Sequence, residues 1–347
     1  MSLPLRTTHH HYVVGNESCD LDSVVSALVL ARHYRAHLTQ DSADNDDDGD
    51  ELVDPLLPCR RAEFALRVDS LAVLSAAALA ELRFLHDDVS LAQLERLHAD
   101  ARLRLTLVDH NRCVLPAPLA DAVVGVVDHH ELTRQHAPAR LQLQLVRRVG
   151  SCCTLVGQLV AHAVTPSDAE LLLRTIAVDT MNFDAALRRA TPLDVAVARF
   201  LHRVAAPPLA FEPFCAAAFA LVRAAKDDVA AVPLADLLRR DYKSLPEHRL
   251  GLSSVPVPAA RFDERVLAEF CADAGVDSLI VFAALTEPPP IGFRRELAVY
   301  SRDRRLFAFF GGGDDDGDDS RRIQIFSQDV TESRKVVVPK LLAALNS

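Results

Sequence analysis

Asn16, Asp20 and Asp22 fall close together in "GNESCDLDSVVSAL" (15–28), directly ahead of an apolar pattern with helical spacing. One acid there is explained by capping, because the N-terminal end of a helix carries about half a positive charge. A second acid, with the apolar run "YVVG" just upstream, points the carboxylates off the tip of a strand toward a shared position suited to a cation. The pattern recurs: "LRLTLVDHN" stops at Asp109, "VVGVVDHHE" at Asp128 followed by His129 and His130, and "RTIAVDTMNF" at Asp179. Read as four strands, these runs deliver their acids to one edge of one sheet.

Continuous apolar runs of this length fit strands buried on both faces, as in a parallel sheet covered by helices. Amphipathic segments at 22–38, 71–82, 90–99 and 151–164 supply the crossovers, and ligands of such sheets gather at the carboxyl ends of the strands. After a helix near 192–204, "AAPP" (205–208) reads as a linker. The expectation is an α/β protein in which residues 1–205 form a domain with a mostly parallel sheet flanked by helices. Residues 213–347 form a smaller mixed α/β domain, with a cleft between the two.

At 347 residues, half of them apolar, the chain suits two globular domains. It shows no apolar stretch of 18 residues and no leader, so a cytoplasmic protein without a membrane partner is expected. Seven cysteines without a CxxC pair read as reduced and mostly buried. The net charge of -10 is concentrated: eight acids lie in 41–54 and five in 311–319, and without those 13 the formal charge becomes +3. The slightly basic remainder suits an anionic substrate. Both acidic runs read as disordered surface insertions. The first mimics a calcium loop through Asp44, Asp46, Asp48 and Gly49, but Pro55 stands where the bidentate Glu belongs. "HHH" (9–11) reads as a polar segment preceding the first strand.

"CDLDS" (19–23), "VDHN" (108–111), "DHH" (128–130), "GSCCT" (150–154) and "VDT" (178–180) resemble, in order and spacing, the motifs of the DHH phosphoesterase superfamily. "DYK" (241–243) and "SRKVVVPKL" (333–341) resemble its DHHA2-type C-terminal domain. Within the superfamily the chain is similar to cytosolic exopolyphosphatases and prune-type proteins, and more distantly to family II inorganic pyrophosphatases. The resemblance implies two divalent cations, Mg2+ with Mn2+ or Co2+ as alternatives. Such a pair can neutralise a phosphoanhydride, activate water and stabilise the leaving oxygen. It implies that Asp109 links both metals, with Asp20 on one and Asp22, His129 and Asp179 on the other. Asn16 stands where pyrophosphatases carry a histidine ligand; exopolyphosphatases of this type share the Asn. An amide is a poor transition-metal ligand, which leaves that site weaker and more tolerant of magnesium. His130 is implied to face substrate and donate to a phosphoryl oxygen, so Asp109, His130 and Asn16 form the expected catalytic set. Lys243, Arg334 and Lys335, with His130, are implied to bind substrate.

Each residue also has an ordinary reading: an Asp at a helix start caps it, a lone His is a satisfied polar residue, and "SRK" is a solvated basic face. Asp128 reads as a group that orients the histidines, and Ser151 and Thr154 as caps of the following helix. "FFGGGDDD" resembles the GGGH signature of the superfamily's nuclease-type domain, but Asp314 replaces the His. With no Trp and few Tyr for base stacking, a nucleic-acid partner is not expected. The leading expectation is an exopolyphosphatase releasing orthophosphate from inorganic polyphosphate, and a monomer is compatible with it. The alternatives are a pyrophosphatase, a prune-like nucleotide phosphodiesterase, or a scaffolding protein with a vestigial site.

Overall fold

Strand β1 (His9–Val14) sits at the centre of the first sheet with both faces covered, because its alternate side chains enter two different cores. Val13 packs on one side, Tyr12 and Val14 on the other. The computed structural model of the chain describes residues 8–41, 51–133, 141–229, 232–286, 292–311, 322–329 and 334–345. It divides into two compact units, Met1–Lys226 and Asp227–Ser347.

In the first unit, β1 is joined by β2 (Glu51–Leu57), β3 (Arg83–Phe84), β4 (Leu103–Val108), β5 (Val123–Asp128) and β6 (Leu143–Val146). The order is β3-β2-β1-β4-β5-β6 and all pairings are parallel. The chain proceeds outward from β1 in one direction and from β4 in the other. The neighbouring ends of β1 and β4 therefore form the crevice where such sheets bind ligands. Helices α1 (Leu21–Asp41), α2 (Arg61–Phe64), α3 (Val68–Val73), α4 (Ala76–Glu81), α5 (Leu91–Ala99), α6 (Cys152–Leu159), α7 (Pro166–Asp179), α8 (Pro192–Ala205) and α9 (Phe211–Asp227) complete this unit. α1, α6, α7 and α8 contribute to one core, while Leu94 and Leu97 of α5 enter the other.

The second unit is a five-stranded mixed sheet of order β11-β10-β9-β8-β7. Its strands are β7 (Tyr242–Leu245), β8 (Leu250–Val255), β9 (Ser278–Thr286), β10 (Phe293–Tyr300) and β11 (Ile323–Gln328), and only β8 and β9 pair in parallel. Along β9, Leu279, Val281 and Ala283 pack with helices α10 (Leu234–Arg240) and α11 (Glu264–Ala274). Ile280 and Phe282 pack with α12 (Arg304–Phe309) and α13 (Arg334–Leu345) on the opposite side. Among the described residues no helix is long and apolar enough to cross a membrane, and all seven cysteines are buried.

Several expectations are corrected. The run ending at Asp179 is a helix, not a fourth strand. Thr165 caps it by accepting from Asp168 N, Pro166 occupies its first turn, and Ala169, Leu172, Leu173, Ile176 and Ala177 are buried at helical spacing. Segment 71–82 is broken into α3 and α4, the second begun by the cap Ser75. The three histidines at 9–11 belong to β1, where His11 Nε2 lies 2.8 Å from Thr106 Oγ1. Residues 51–54 of the acidic run start β2; Pro55 is tolerated where β3, opposite only Leu56 and Leu57, has not yet begun. Residues 42–50 and 312–320 lie outside the described residues. The first unit also extends beyond 205: Phe214, Cys215 and Val222 of α9 are buried in its core, so "AAPP" is a turn within the unit.

A buried carboxylate ties α8 to the loop before α6. Asp194, fully buried, accepts from Gly150 N (2.8 Å), Thr154 Oγ1 (2.5 Å), Thr191 N (2.7 Å) and Thr191 Oγ1 (2.7 Å). Asp194→Ala leaves these neutral donors without an acceptor and is expected to cost about 1–3 kcal/mol for each one that stays buried and unsatisfied. Urea denaturation checks this, and an unchanged midpoint contradicts it.

Candidate metal centre at the strand ends

Asp109 follows the last residue of β4 and is held at φ 62°, a left-handed conformation that is strained for a residue with a Cβ. It is 3 % exposed. Its Oδ2 accepts from Asn16 Nδ2 at 2.7 Å. Its Oδ1 is buried without a hydrogen bond of acceptable geometry, although His129 Nε2 stands 3.1 Å away and His130 Nδ1 3.8 Å. Burial, followed by the charges of Asp22 and Asp20, pushes the Asp109 carboxyl up to about 8, against the pull of His129.

The two histidines follow β5 and are fixed differently. His129 lies with Nδ1 3.0 Å from the Val149 carbonyl, which places the proton there and leaves Nε2 toward Asp109 and Asp22 (3.8 Å). Burial lowers the affinity of this ring for a proton, but Asp109 and Asp22 outweigh it and raise the value to about 9. His130 lies with Nδ1 2.8 Å from Asp128 Oδ1, and this partner raises its pKa. Asp128 itself is fully buried and accepts from His129 N (2.7 Å), His130 N (3.2 Å) and Asn111 Nδ2. Burial alone would raise its pKa, but the bonds from His130 and Asn111 hold it below the usual carboxylate range.

The first loop brings the other acids. Asp20 starts α1: its Oδ1 accepts from Ser23 N (3.2 Å) and its Oδ2 from Ser18 Oγ (3.1 Å). Burial and Asp22 raise its pKa. Asp22 caps α6, accepting from Ser151 Oγ (2.8 Å) and Cys153 N (2.9 Å) at Oδ1 and from Cys152 N (2.7 Å) at Oδ2. The anion thus sits on the positive end of α6, and with about four lone-pair sites per carboxylate one remains available on the side of His129. Asp179, at the end of α7, has its Oδ2 buried without a hydrogen bond. Burial, then Asp22 and Asp20, raise its pKa well above the carboxylate range.

Asp109, His129 and His130 each place a ligating atom within 4.8 Å of the others. Asp20, Asp22 and Asp179 stand outside that tight group but are joined to it by mutual repulsion. Asp20, Asp109 and Asp179 are pushed up by burial and then by neighbouring carboxylates, and Asp109 and Asp179 keep orphaned oxygens, so the cluster lacks positive charge. A divalent cation with a preference for oxygen and some imidazole supplies it, so the residues present fit such an ion. Asn16 is held on both sides of its amide: its Oδ1 accepts from Ser18 Oγ (2.8 Å) and Cys19 N (3.0 Å), and its Nδ2 donates to Asp109 Oδ2 (2.7 Å).

Ser151 occupies the N-cap position of α6, but neither its side chain nor that of Thr154 makes the capping bond that their sequence position had implied. Ser151 donates to Asp22 and Thr154 to Asp194, because Asp22 takes the helix end. Asn111 was not assigned a role from sequence. Buried, it joins Asp128, the Glu131 carbonyl (3.0 Å) and Thr133 N (2.8 Å), locking the loop that carries both histidines. Its place inside "VDHN" was the available signal. In the second unit, Lys243 is exposed on β7. Arg334, at the start of α13, donates to the Asp241 carbonyl (3.0 Å) and Asp241 Oδ1 (2.8 Å), beside the Lys243 strand. The Lys335 side chain lies outside those described.

The profile of the DHH family, N-terminal domain, matches residues 10–180, and that of the DHHA2 domain matches residues 221–344. Rat and bovine proteins named exopolyphosphatase PRUNE1 are 30% and 32% identical, each alignment covering 97% of this chain and 76% of the relative. The chain belongs to the DHH phosphoesterase superfamily and carries a DHHA2 domain. A Deinococcus radiodurans protein described as a manganese-dependent inorganic pyrophosphatase is 35% identical over 41% of this chain and 45% of its own. The fold is also that of a Methanococcus jannaschii structure described as a family II inorganic pyrophosphatase, with TM-score 0.54 and 20% identity over 98% of this chain and 100% of the other.

If Asp109 is the central ligand, Asp109→Asn removes a buried charge that the protein itself compensates only in part. The variant is expected to unfold in EDTA at the same temperature as the parent or higher, and to lose the stabilisation by added Mn2+. Hydrolysis should fall by more than about 100-fold, the upper end for loss of a mere outer partner. Retained Mn2+ stabilisation in thermal unfolding contradicts the assignment.

Proposed function

We propose that the protein is an exopolyphosphatase that hydrolyses the terminal phosphoanhydride of inorganic polyphosphate and releases orthophosphate. The carrying observation is Asn16. The residue nearest Asp109 on the β1 loop is an amide whose nitrogen has no lone pair for a metal and is committed to the Asp109 carboxylate. A centre that lacks an imidazole there relies more on oxygen donors, which lessens its preference for Mn2+ or Co2+ and makes it more tolerant of Mg2+. The names of the mammalian relatives point the same way.

In this reading two divalent cations are held by Asp20, Asp22, Asp109, His129 and Asp179. When bound, they supply Lewis acidity toward the phosphoryl oxygens and lower the pKa of water. The protein's own groups do the rest. Asn16 holds one Asp109 oxygen and thereby turns the other toward the histidines. His130, more than half exposed, is anchored through Nδ1 on Asp128, so its Nε2 is the nitrogen available to donate to a phosphoryl or leaving-group oxygen. Lys243, Arg334 and Lys335 are assigned to phosphate groups of the substrate, with Arg334 as a planar fork and the lysines as point charges. Phosphate would draw Arg334 from its present partner Asp241.

A pyrophosphatase is the second reading, favoured by the similarity to the Deinococcus radiodurans protein. Phosphate release from polyphosphate, pyrophosphate and nucleotides, each with Mg2+, Mn2+ and Co2+, separates the two. Polyphosphate is expected to give the highest kcat/KM, with Mg2+ effective. Asn16→His is expected to shift metal preference toward Mn2+ or Co2+ and substrate preference toward pyrophosphate, about tenfold or more in the ratio of kcat/KM values. A parent enzyme that prefers pyrophosphate, or a ratio that Asn16→His leaves unchanged, overturns the proposal.

A further inference from the structure

A second cluster lies away from the strand ends. His33 and His37 are one turn apart on the same face of α1, and His162 follows α6. The three rings pack together, with centroids 4.2 Å apart for His33 and His37 and 5.2 Å for each of these with His162. One nitrogen of each ring lies within 4.8 Å of the other two. His37 Nδ1 is 3.1 Å from the His33 carbonyl oxygen, which places the proton on Nδ1 and the lone pair on Nε2. That Nε2 faces His162 Nε2 at 3.1 Å. Two nitrogens bound at about 2.0–2.1 Å to a tetrahedral zinc ion stand about 3.3 Å apart, so the pair is already near ligand spacing.

We propose that His33, His37 and His162 form a binding site for a borderline divalent transition metal of the Zn2+ class, separate from the carboxylate centre. Imidazole-only donors select Zn2+, Ni2+ or Cu2+ over Mg2+. The carbonyl bond to His37 is the orienting contact that metal-bound histidines commonly have. Burial, helped by the two neighbouring rings, pushes His33 down to about 4, so its ring is neutral and ready to coordinate at neutral pH. The nearby Arg32 is already paired with Glu81 and Asp168 and does not present an uncompensated cation. His162 is exposed, and a cavity of about 310 Å³ lined by His33, Arg32, Thr165 and Asp168 opens beside it. Solvent can therefore provide the fourth ligand. His33 lies 11 residues beyond Asp22 on the same helix, about 16 Å of axial rise, too far to share an ion with the strand-end acids. A bound metal would clip α1 to the turn after α6.

Co2+ titration of the full chain tests this, because a nitrogen-rich site of low coordination number gives strong visible absorption and an oxygen-rich octahedral one gives weak absorption. The parent and Asp109→Asn are expected to show the strong band, saturating at one equivalent. His162→Gln, an exposed change that spares the core, should lose the band and weaken that equivalent by about tenfold or more, and His37→Gln should do the same with unchanged circular dichroism. Absence of the band in the parent would mean that the rings merely share a proton. Its persistence in both His variants, or its loss in Asp109→Asn alone, would place the metal elsewhere. Either result overturns the proposal.

Discussion

Like charges forced together at the ends of parallel strands are the constraint around which the first unit is built. Burial in a poorly solvated interior, reinforced by the neighbouring charge of Asp22, pushes Asp20, Asp109 and Asp179 toward protonation. Carboxylates are rarely buried without compensation, and here the compensation from protein is partial. Asp22 receives the start of α6 and Asp20 the start of α1, whereas Asp109 and Asp179 each keep an oxygen without a hydrogen bond. The fold has taken on a cost that a divalent cation removes, which is how a metal centre differs from a set of helix caps.

The surrounding polar groups keep this arrangement from relaxing. Asp128 and Asn111 lock the histidine loop, and Asp194 binds the backbone of Gly150 ahead of α6. At Gly150 a Cβ would come within 2.7 Å of Thr180 Cγ2 and 2.9 Å of the Arg189 carbonyl oxygen, so the loop can approach α7 and α8 only without a side chain. Asp109 is held at positive φ between these supports. Strain at such a residue persists only where the environment overdetermines it. The order β3-β2-β1-β4-β5-β6 supplies the geometry: all strands are parallel but the direction in which they are added reverses between β1 and β4, and the loops diverging there open the space into which Asn16 and Asp109 project.

Much of this was legible because apolar runs ending in acids are local signals. Asp109, Asp128 and the two histidines were placed correctly at strand ends from the sequence, since short, mostly apolar runs that stop at a charge leave few options in a parallel sheet. Asp179 was misread as a strand residue because its run is apolar at adjacent as well as helical positions; the decisive signals were Thr165 and Pro166, a dozen residues upstream. The extent of the first unit was misjudged because a Pro-containing turn resembles a linker, and only the burial of Phe214, Cys215 and Val222 shows where α9 belongs. The capping role of Asp22 was invisible for a different reason. Its partners on α6 are about 130 positions away, and nothing local reveals a helix end arriving from that distance.

The account stands on a divalent cation at Asp109. Diffraction from crystals of the full chain grown with Mn2+, recorded near the manganese absorption edge, locates that ion directly. The predicted result is anomalous density within coordinating distance of the Asp109 carboxylate and His129 Nε2, with Asp20, Asp22 or Asp179 completing the shell. Density only at other places, or none at saturating Mn2+ with Asp109 still bonded to Asn16 and its second oxygen bare, would contradict it.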